Sequence, residues 1–404
     1  MPTHMILLLA GLSVLGPLGI DMYLPAFQAI GADLGASTVA VQQTLSVYLA
    51  CLAVMMLFYG TLSDACGRRR VLLWATAVHV VAALTVACAP DIDILVAGRA
   101  LQGLSAGAGA VVGRAIVQDM TRGAATQRAL SSLIVVFALA PAVAPIVGGW
   151  LLQGYGWRSI FFLQATFAAL MWTWSLVGLP ESLPKNRRND LRPRTVCNAY
   201  QTTASDLAFQ LAVTASSLAF LVFSLYIGAA ATFVTDVLDL PVTAFGWLFV
   251  PLVAGMVLGS ALAGRLAGWV TRTVQLIIGY ALLTAAGVCN VCYWASASPV
   301  LPWAVLPIGL TTFGLALINP CLMLMATEKH AVNRGLAHSL FSFEQTLVFA
   351  GVTAWLSPLL ANSGLNLALA VLVGGVLSAC CAAWLHALQK SKMGKHSVIA
   401  ELEL

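Results

Sequence analysis

Twelve long apolar runs, broken by short polar interruptions, constrain this chain more than any other feature. They lie near residues 5–25, 39–62, 71–89, 93–114, 129–152 and 158–179, then 208–234, 243–267, 274–296, 301–326, 335–360 and 366–388. A bilayer core is crossed by about 20 apolar residues in a helix rising 1.5 Å each, so each run is a candidate span. Six runs precede a polar stretch and six follow it. The expectation is an all-α polytopic membrane protein with 12 transmembrane helices in two six-helix bundles. The bundles are expected over 1–180 and 208–389, joined by a linker at 181–207 and followed by a tail at 390–404. Charged residues make up 9% of the 404, against roughly a quarter in soluble domains. Mean hydropathy is +0.92, which also excludes disorder and coiled coils. Function must therefore reside within the lipid bilayer.

The interruptions carry the topology. The linker holds Lys185, Arg187, Arg188, Arg192 and Arg194 with Pro184 and Pro193, too charged and too broken to span. Alternating the spans from there places Arg68, Arg69, Arg70, Arg114, Arg122, Arg128, Arg265, Arg272, Lys329, Arg334, Lys390, Lys392 and Lys395 on the linker's side. That is eighteen of the twenty basic residues, Arg99 and Arg158 being the exceptions. The positive-inside rule then makes the linker face cytoplasmic, with both termini inside. The basic residues serve topology, and no basic segment interleaved with aromatics suggests nucleic acid. Nine cysteines scattered in apolar runs imply no disulfide framework, and Cys289 with Cys292 read as packing residues. The six histidines, His4, His79, His330, His338, His386 and His396, show no metal spacing, and no phosphate-binding G-x-x-x-x-G-K-[ST] loop exists. No metal, cofactor or ATP is expected. A leader is not expected either, because Met1–His4 lack Lys and Arg.

Four constellations carry chemistry. The second and third spans are joined through Gly60, Leu62, Asp64, Gly67, Arg68, Arg69 and Arg70. A tight turn with glycine at both ends, an acid at a helix end and guanidinium groups within reach of it explain this spacing better than a merely basic turn. In the fourth span, Arg99 with Gln102 and Gly103 sits about 10 Å deep at 1.5 Å per residue. A charge there costs several kcal/mol unless paired or solvated; an arginine snorkelling outward is the bland alternative. Asp21, in Ile20-Asp21-Met22-Tyr23-Leu24-Pro25, shares that depth and could exchange a proton beside a wet cavity, or simply be held at the interface. The fifth span reads Ala140, Pro141, Ala144, Pro145, Gly148, Gly149, a bent helix that admits another backbone or a plain packing helix. In the second half Glu344 stands out, ten residues into the eleventh span and so near mid-membrane. It is either a protonated packing acid or a cavity group that reads a cationic substrate. Tyr48, Phe223, Tyr226 and Trp247 are aromatic candidates for lining a pocket.

Taken with Gly156-Trp157-Arg158, Leu179-Pro180-Glu181 and Thr271-Arg272-Thr273-Val274, these residues resemble the major facilitator superfamily, and within it the Bcr/CflA branch of bacterial drug:proton antiporters. The resemblance implies the major facilitator fold and alternating access between two bundles. It implies a conformational latch between the halves at Gly60, Asp64, Gly67 and Arg68–Arg70. It implies proton coupling at Asp21 and Arg99, and an antiporter motif at Pro141, Ala144, Pro145, Gly148 and Gly149. Glu344, Tyr48 and Tyr226 are the candidates for a substrate or second proton site. Three departures stand out: Ala65 and Arg70 in the loop, Ala144 for a usual glycine, and Ser13 where some members carry a second acid. The implied partners are a small-molecule substrate, the proton as coupling ion and the bilayer, for a monomer in a bacterial inner membrane. Export of an endogenous metabolite such as a nucleoside is the alternative within transport. A membrane-embedded enzyme lacks its clustered ligands here, and a non-transporting receptor would not need Asp21, Arg99 and Glu344 buried.

Overall fold

In lipid a backbone segment must satisfy its own hydrogen bonds, and an uncharged Leu/Ala/Val/Gly run can do so only as a helix. The structure, a computed structural model, describes residues 1–188, 193–267, 269–328, 330 and 334–402. The first half comprises α1 (Thr3–Leu34), α2 (Thr38–Cys66), α3 (Arg68–Ala87), α4 (Ile92–Met120), α5 (Ala124–Tyr155) and α6 (Trp157–Gly178). A linker helix, Pro193–Ala204, leads to the second half. There α7 joins Leu207–Ala219 to Leu221–Gly228 across a 44° bend, and a π turn, Phe233–Val237, ends it. Then come α8 (Gly246–Leu266), α9 (Arg272–Ser296) and α10 (Leu306–Thr327). The eleventh, α11, runs through Arg334–Gly351, a π turn at Val352–Leu356 and Ser357–Leu360, and α12 covers Gly364–Leu402.

Among the described residues, ten helices are long and apolar enough to cross a membrane, and bent α7 makes eleven. The remaining expected span is α11, whose early turns carry His338, Glu344 and Gln345 and dilute its hydropathy. Several helices outrun the apolar runs. α1 continues to Leu34, where Gly35 at φ 61° turns the chain, and α4 continues to Met120. Intrahelical bonding persists past the apolar core until a residue stops it. Arg192 and Lys329 lie outside the described residues, as do the side chains of Arg187, Arg194, Arg334, Lys390, Lys392 and Lys395. All nine cysteines are free thiols.

Starts of helices are fixed locally. Ser37, Asp91, Asp206 and Thr271 cap α2, α4, α7 and α9 by accepting from backbone N–H groups two or three residues on. Within the first half α2 packs on α4 and α3 on α4 and α6; within the second, α10 packs on α8 and α9, and α12 on α7 and α9. The halves meet through α2 with α11 and α5 with α8. Hydrogen bonds between them gather at the face opposite the linker. Gln28 donates to Thr235 Oγ1 and Asp236 Oδ1, both at 2.9 Å, Gln42 to the Gly228 carbonyl at 2.6 Å, and Gln43 to the Ala354 carbonyl at 2.8 Å. Ser46 and Thr353 hydroxyls lie 3.0 Å apart. Both π turns therefore sit where the second half touches the first.

α5 remains one continuous helix through Pro141 and Pro145. Its adjacent glycines face different neighbours: a Cβ on Gly148 would overlap the Met22 carbonyl of α1, and one on Gly149 would overlap the Val242 carbonyl just before α8. Gly154, on the same helix, has nothing within 4 Å of its would-be Cβ. Gly148→Ala should therefore lower thermal stability in detergent by about 1–3 kcal/mol, the usual cost of overpacking. Gly154→Ala should be neutral or stabilising, since alanine favours helices. Equal melting of the two variants would show that α1 and α5 do not need this close approach.

Candidate functional site

The fourth span places Arg99 where no solvent reaches it: its relative exposure is 0%. α1 and α2 bring Tyr23 and Tyr48 to either side, each ring centroid 4.2 Å from the guanidinium carbon. A desolvated cation over an aromatic face gains about 2 kcal/mol or more, and this one has two faces. Arg99 Nη1 donates to Gln102 Oε1 at 2.7 Å, Gln102 Nε2 to Gln164 Oε1 at 3.2 Å, and Gln164 Nε2 to the Leu18 carbonyl at 3.2 Å. A relay of amides thus ties the guanidinium to α1, one turn before Asp21. Both rings are held in turn. Tyr48 donates to the Gly16 carbonyl at 2.9 Å, and the Tyr23 hydroxyl lies 3.3 Å from Thr44 Oγ1, whose own proton goes to the Val41 carbonyl. Gly103 lets α4 approach the Tyr48 backbone, where a Cβ would collide.

Asp21 is 2% exposed, and its Oδ1 makes no hydrogen bond. Arg99 Nε and Nη2 likewise have no hydrogen-bond partner. Asp21 and Arg99 do not form an ion pair; Tyr48 lies within electrostatic range of both. The site therefore contains one buried carboxyl and one buried cation, held apart with unused hydrogen-bonding capacity on each. A carboxyl in that position is costly when charged, so its protonation state is sensitive to the charge and solvent around it. His79, which the sequence presented only as a lone histidine without metal spacing, belongs to the same network. Its Nδ1 is 2.9 Å from Ser105 Oγ, which donates to the Gln102 carbonyl. The serine proton being engaged, Nδ1 is the donor and Nε2 is left without a partner. The signal for His79 and Gln164 was there in principle, as polar side chains in the middle of apolar spans.

The α2–α3 loop departs from expectation in two respects. Gly60 lies inside α2 with open space beside it, so the turn rests on Gly67 alone, at φ 98°. A Cβ on Gly67 would strike Glu181. Nor do the loop's described contacts cross to the second half. Arg68 pairs with Asp64 and, at 3.2 Å, with Asp119 at the end of α4. Its Nη1 donates to Ser63 Oγ at 2.6 Å, and its backbone N–H donates to Glu181 Oε1 at 2.9 Å. Arg69 donates to the Leu176 carbonyl at 2.7 Å, closing the end of α6. The second half repeats the device: Arg272, at the α8–α9 turn, forks onto both carboxylate oxygens of Glu328 just past α10. On the opposite face Arg158 pairs with Asp33 at 2.5 Å and donates to the Ala89 carbonyl.

Glu344 accepts from Gln210 Nε2 at 3.1 Å. Gln210 lies in the first turn of α7, so Glu344, ten residues into α11, is held against the linker end of α7. Beside it Gln345 donates to Ser216, which donates to Asn319 at 2.5 Å, a polar chain that sequence periodicity did not expose. Tyr226 is packed within the second half rather than lining a pocket: Asn290 donates to its hydroxyl at 3.0 Å, and its ring stands edge-on to Phe233. Tyr48 belongs with Arg99, as described, and the α5 residues Ala144, Gly148 and Gly149 pack beside the end of α1 that carries Asp21.

Comparison with known proteins agrees with this architecture. The family profile described as Major Facilitator Superfamily matches residues 9–349. An uncharacterized MFS-type transporter, YdgK, of Bacillus subtilis is 42% identical over 183 residues, 45% of this chain and 46% of that protein. The bicyclomycin resistance protein homolog of Haemophilus influenzae is 27% identical over 339 residues, 83% of this chain and 84% of its own. Multidrug resistance protein MdtL of Salmonella typhi is 28% identical over 373 residues, 90% of each chain. The crystal structure of the human organic anion transporter MFSD10 (TETRAN) shares the fold, with a TM-score of 0.67 over 95% of this chain and 100% of that one at 16% identity. With a profile match over most of its length and a shared helical fold, the chain belongs to the Major Facilitator Superfamily.

Proposed function

We propose that this transporter is a proton-coupled antiporter that exports small drug-like or toxic compounds by alternating access. Its seat is a bacterial cytoplasmic membrane, as a monomer with linker and termini on the cytoplasmic side. The observation that carries the reading is Asp21, a buried carboxyl with a free oxygen, in the same half as the buried Arg99 cation, each within electrostatic range of Tyr48. Protonated, Asp21 leaves the cluster with the single positive charge of Arg99; ionised, it leaves the cluster neutral. A proton arriving from outside and a substrate arriving from inside then compete for the same electrostatic environment, and release of one favours binding of the other. The amide relay from Arg99 to Leu18 and the Gly148 contact to Met22 tie that exchange to movements of α1 against α4 and α5. The relatives named for bicyclomycin and multidrug resistance support a xenobiotic cargo. A potential of about 100 mV contributes about 2.3 kcal/mol per proton, enough to concentrate a neutral compound roughly fiftyfold outward.

Asp21→Asn keeps shape and polarity and removes the titratable group. In proteoliposomes holding a potential of about 100 mV it should abolish proton-driven substrate movement, so that the accumulation ratio falls from about fiftyfold toward unity, while energy-independent exchange persists. Undiminished coupling would put the proton elsewhere. Arg99→Lys retains the charge but not the planar group that fills the slot between Tyr23 and Tyr48. Transport should fall in the order wild type, Arg99→Lys, Arg99→Ala, and equal rates for the three would remove Arg99 from the mechanism.

Glu344 supports a preference for cations, because its second oxygen remains available beside the Gln210 contact. Glu344→Gln should lose resistance to a cationic compound and keep resistance to a neutral one, the amide carbonyl still accepting from Gln210. Parallel losses for both compounds would end the charge-recognition reading.

A further inference from the structure

A cavity among the described residues lies away from Asp21 and Arg99. It has a volume of about 730 Å³ and opens on the outside of the first half, between the start of α3, the end of α6 and the first residues of the linker. That volume is within the range of small-ligand sites. Its rim at the linker face carries Arg69, Arg70, Lys185 and Arg188 against one acid, Glu181. One turn and more along both helices, away from that rim, the lining becomes apolar and aromatic, with Trp74 and Trp172.

The register of the two helices produces this polarity. On α3, Arg70, Trp74 and Ala77 follow at helical spacing and so share one stripe, charged at its start and apolar deeper in the bilayer. α6 runs the opposite way, so Trp172 lies deeper than Leu176 and the chain emerges through Glu181 at the rim. Trp74 is 70% exposed on the lipid-facing side, which an interfacial tryptophan accommodates. The cations are not consumed by the protein. Arg188 reaches Glu181 only at 3.4 Å, and its buried Nε has no hydrogen-bond partner. Arg69 spends one nitrogen on the Leu176 carbonyl and keeps the rest of its fork.

We propose that this cavity is a binding site for an anionic membrane phospholipid. The phosphodiester sits among Arg69, Arg70, Lys185 and Arg188, the glycerol region lies against Trp74 and Trp172, and an acyl chain follows the α3–α6 groove. A basic pocket between helices on one face of a membrane protein is suited to such a headgroup. A free phosphate would use the same cations but has no need of the apolar, tryptophan-lined depth. The lipid would also staple the linker's first residues to α3, since Arg188 and Glu181 flank the Gly67 turn.

The test uses the full-length protein, delipidated and returned to nanodiscs or detergent with dioleoyl phosphatidylglycerol or dioleoyl phosphatidylcholine, with retained lipid counted by native mass spectrometry. Wild type should retain phosphatidylglycerol at least several-fold better than phosphatidylcholine. The double variant Arg70→Gln/Lys185→Gln should weaken phosphatidylglycerol retention by roughly twenty-five-fold, at roughly fivefold per cation, and so lose the preference. Trp74→Ala, at an exposed position, should keep its helical content and melting temperature yet retain less phosphatidylglycerol. Inorganic phosphate at millimolar concentration should not displace the lipid. Equal retention of the two lipids, indifference to all three substitutions, or displacement by phosphate alone would each overturn the proposal, the last by assigning the cavity to a free ion.

Discussion

Everything in the centre of the first half depends on holding the Arg99 guanidinium out of water without a carboxylate partner. Two tyrosine faces and a chain of amides do it, and they draw on four helices: α1 supplies Tyr23 and the Leu18 carbonyl, α2 Tyr48, α4 Gln102 and α6 Gln164. An ion pair with Asp21 would have been the simpler arrangement, but a buried pair resists separation because breaking it strands both charges. Aromatic and amide contacts stabilise the cation while leaving the carboxyl free to change its charge. The cluster accordingly keeps unpartnered atoms on Asp21, Arg99 and His79.

Much of this could be read from the sequence, for definite physical reasons. Apolar runs must become helices in a bilayer, so the twelve segments and their division by a basic linker follow from hydropathy. Asp21 and Arg99 were legible because a charge inside an apolar run is expensive. What held Arg99 was not legible, since Tyr23 and Tyr48 approach it from helices that sequence order does not pair. The same blindness explains Tyr226, which shares residue type with Tyr48 but is committed to Asn290, and Glu344, whose partner Gln210 comes from a different helix. Gly60 was misread because helical and turn glycines look alike; only the positive φ at Gly67 separates them.

The two halves repeat one plan and depart from it in chemistry. α1 is interrupted at Val14 and α7 at Phe220, and the α2–α3 and α8–α9 turns each send an arginine to an acid at or just past the end of the next helix but one, Arg68 to Asp119 and Arg272 to Glu328. Seven residues beyond the interruption stands Asp21 in one half and Ile227 in the other. The scaffold is duplicated, while the buried Asp21, Arg99 and His79 lie in the first half and the second contributes Glu344 and the Ser216–Asn319–Gln345 chain.

The π turns at Phe233–Val237 and Val352–Leu356 add a mechanical property to the seam opposite the linker. A π turn holds one surplus residue in the helical ladder, and that surplus can be handed to the neighbouring turn by exchanging one backbone bond for another. The side chains riding on it then rotate about the axis and slide along it without the helix unfolding. Thr235, Asp236, Thr353 and Ala354, which receive Gln28, Ser46 and Gln43, all ride on such turns. The seam is thus built like a zip whose teeth are mounted on a slack belt, its partners carried on turns that hold spare helical register.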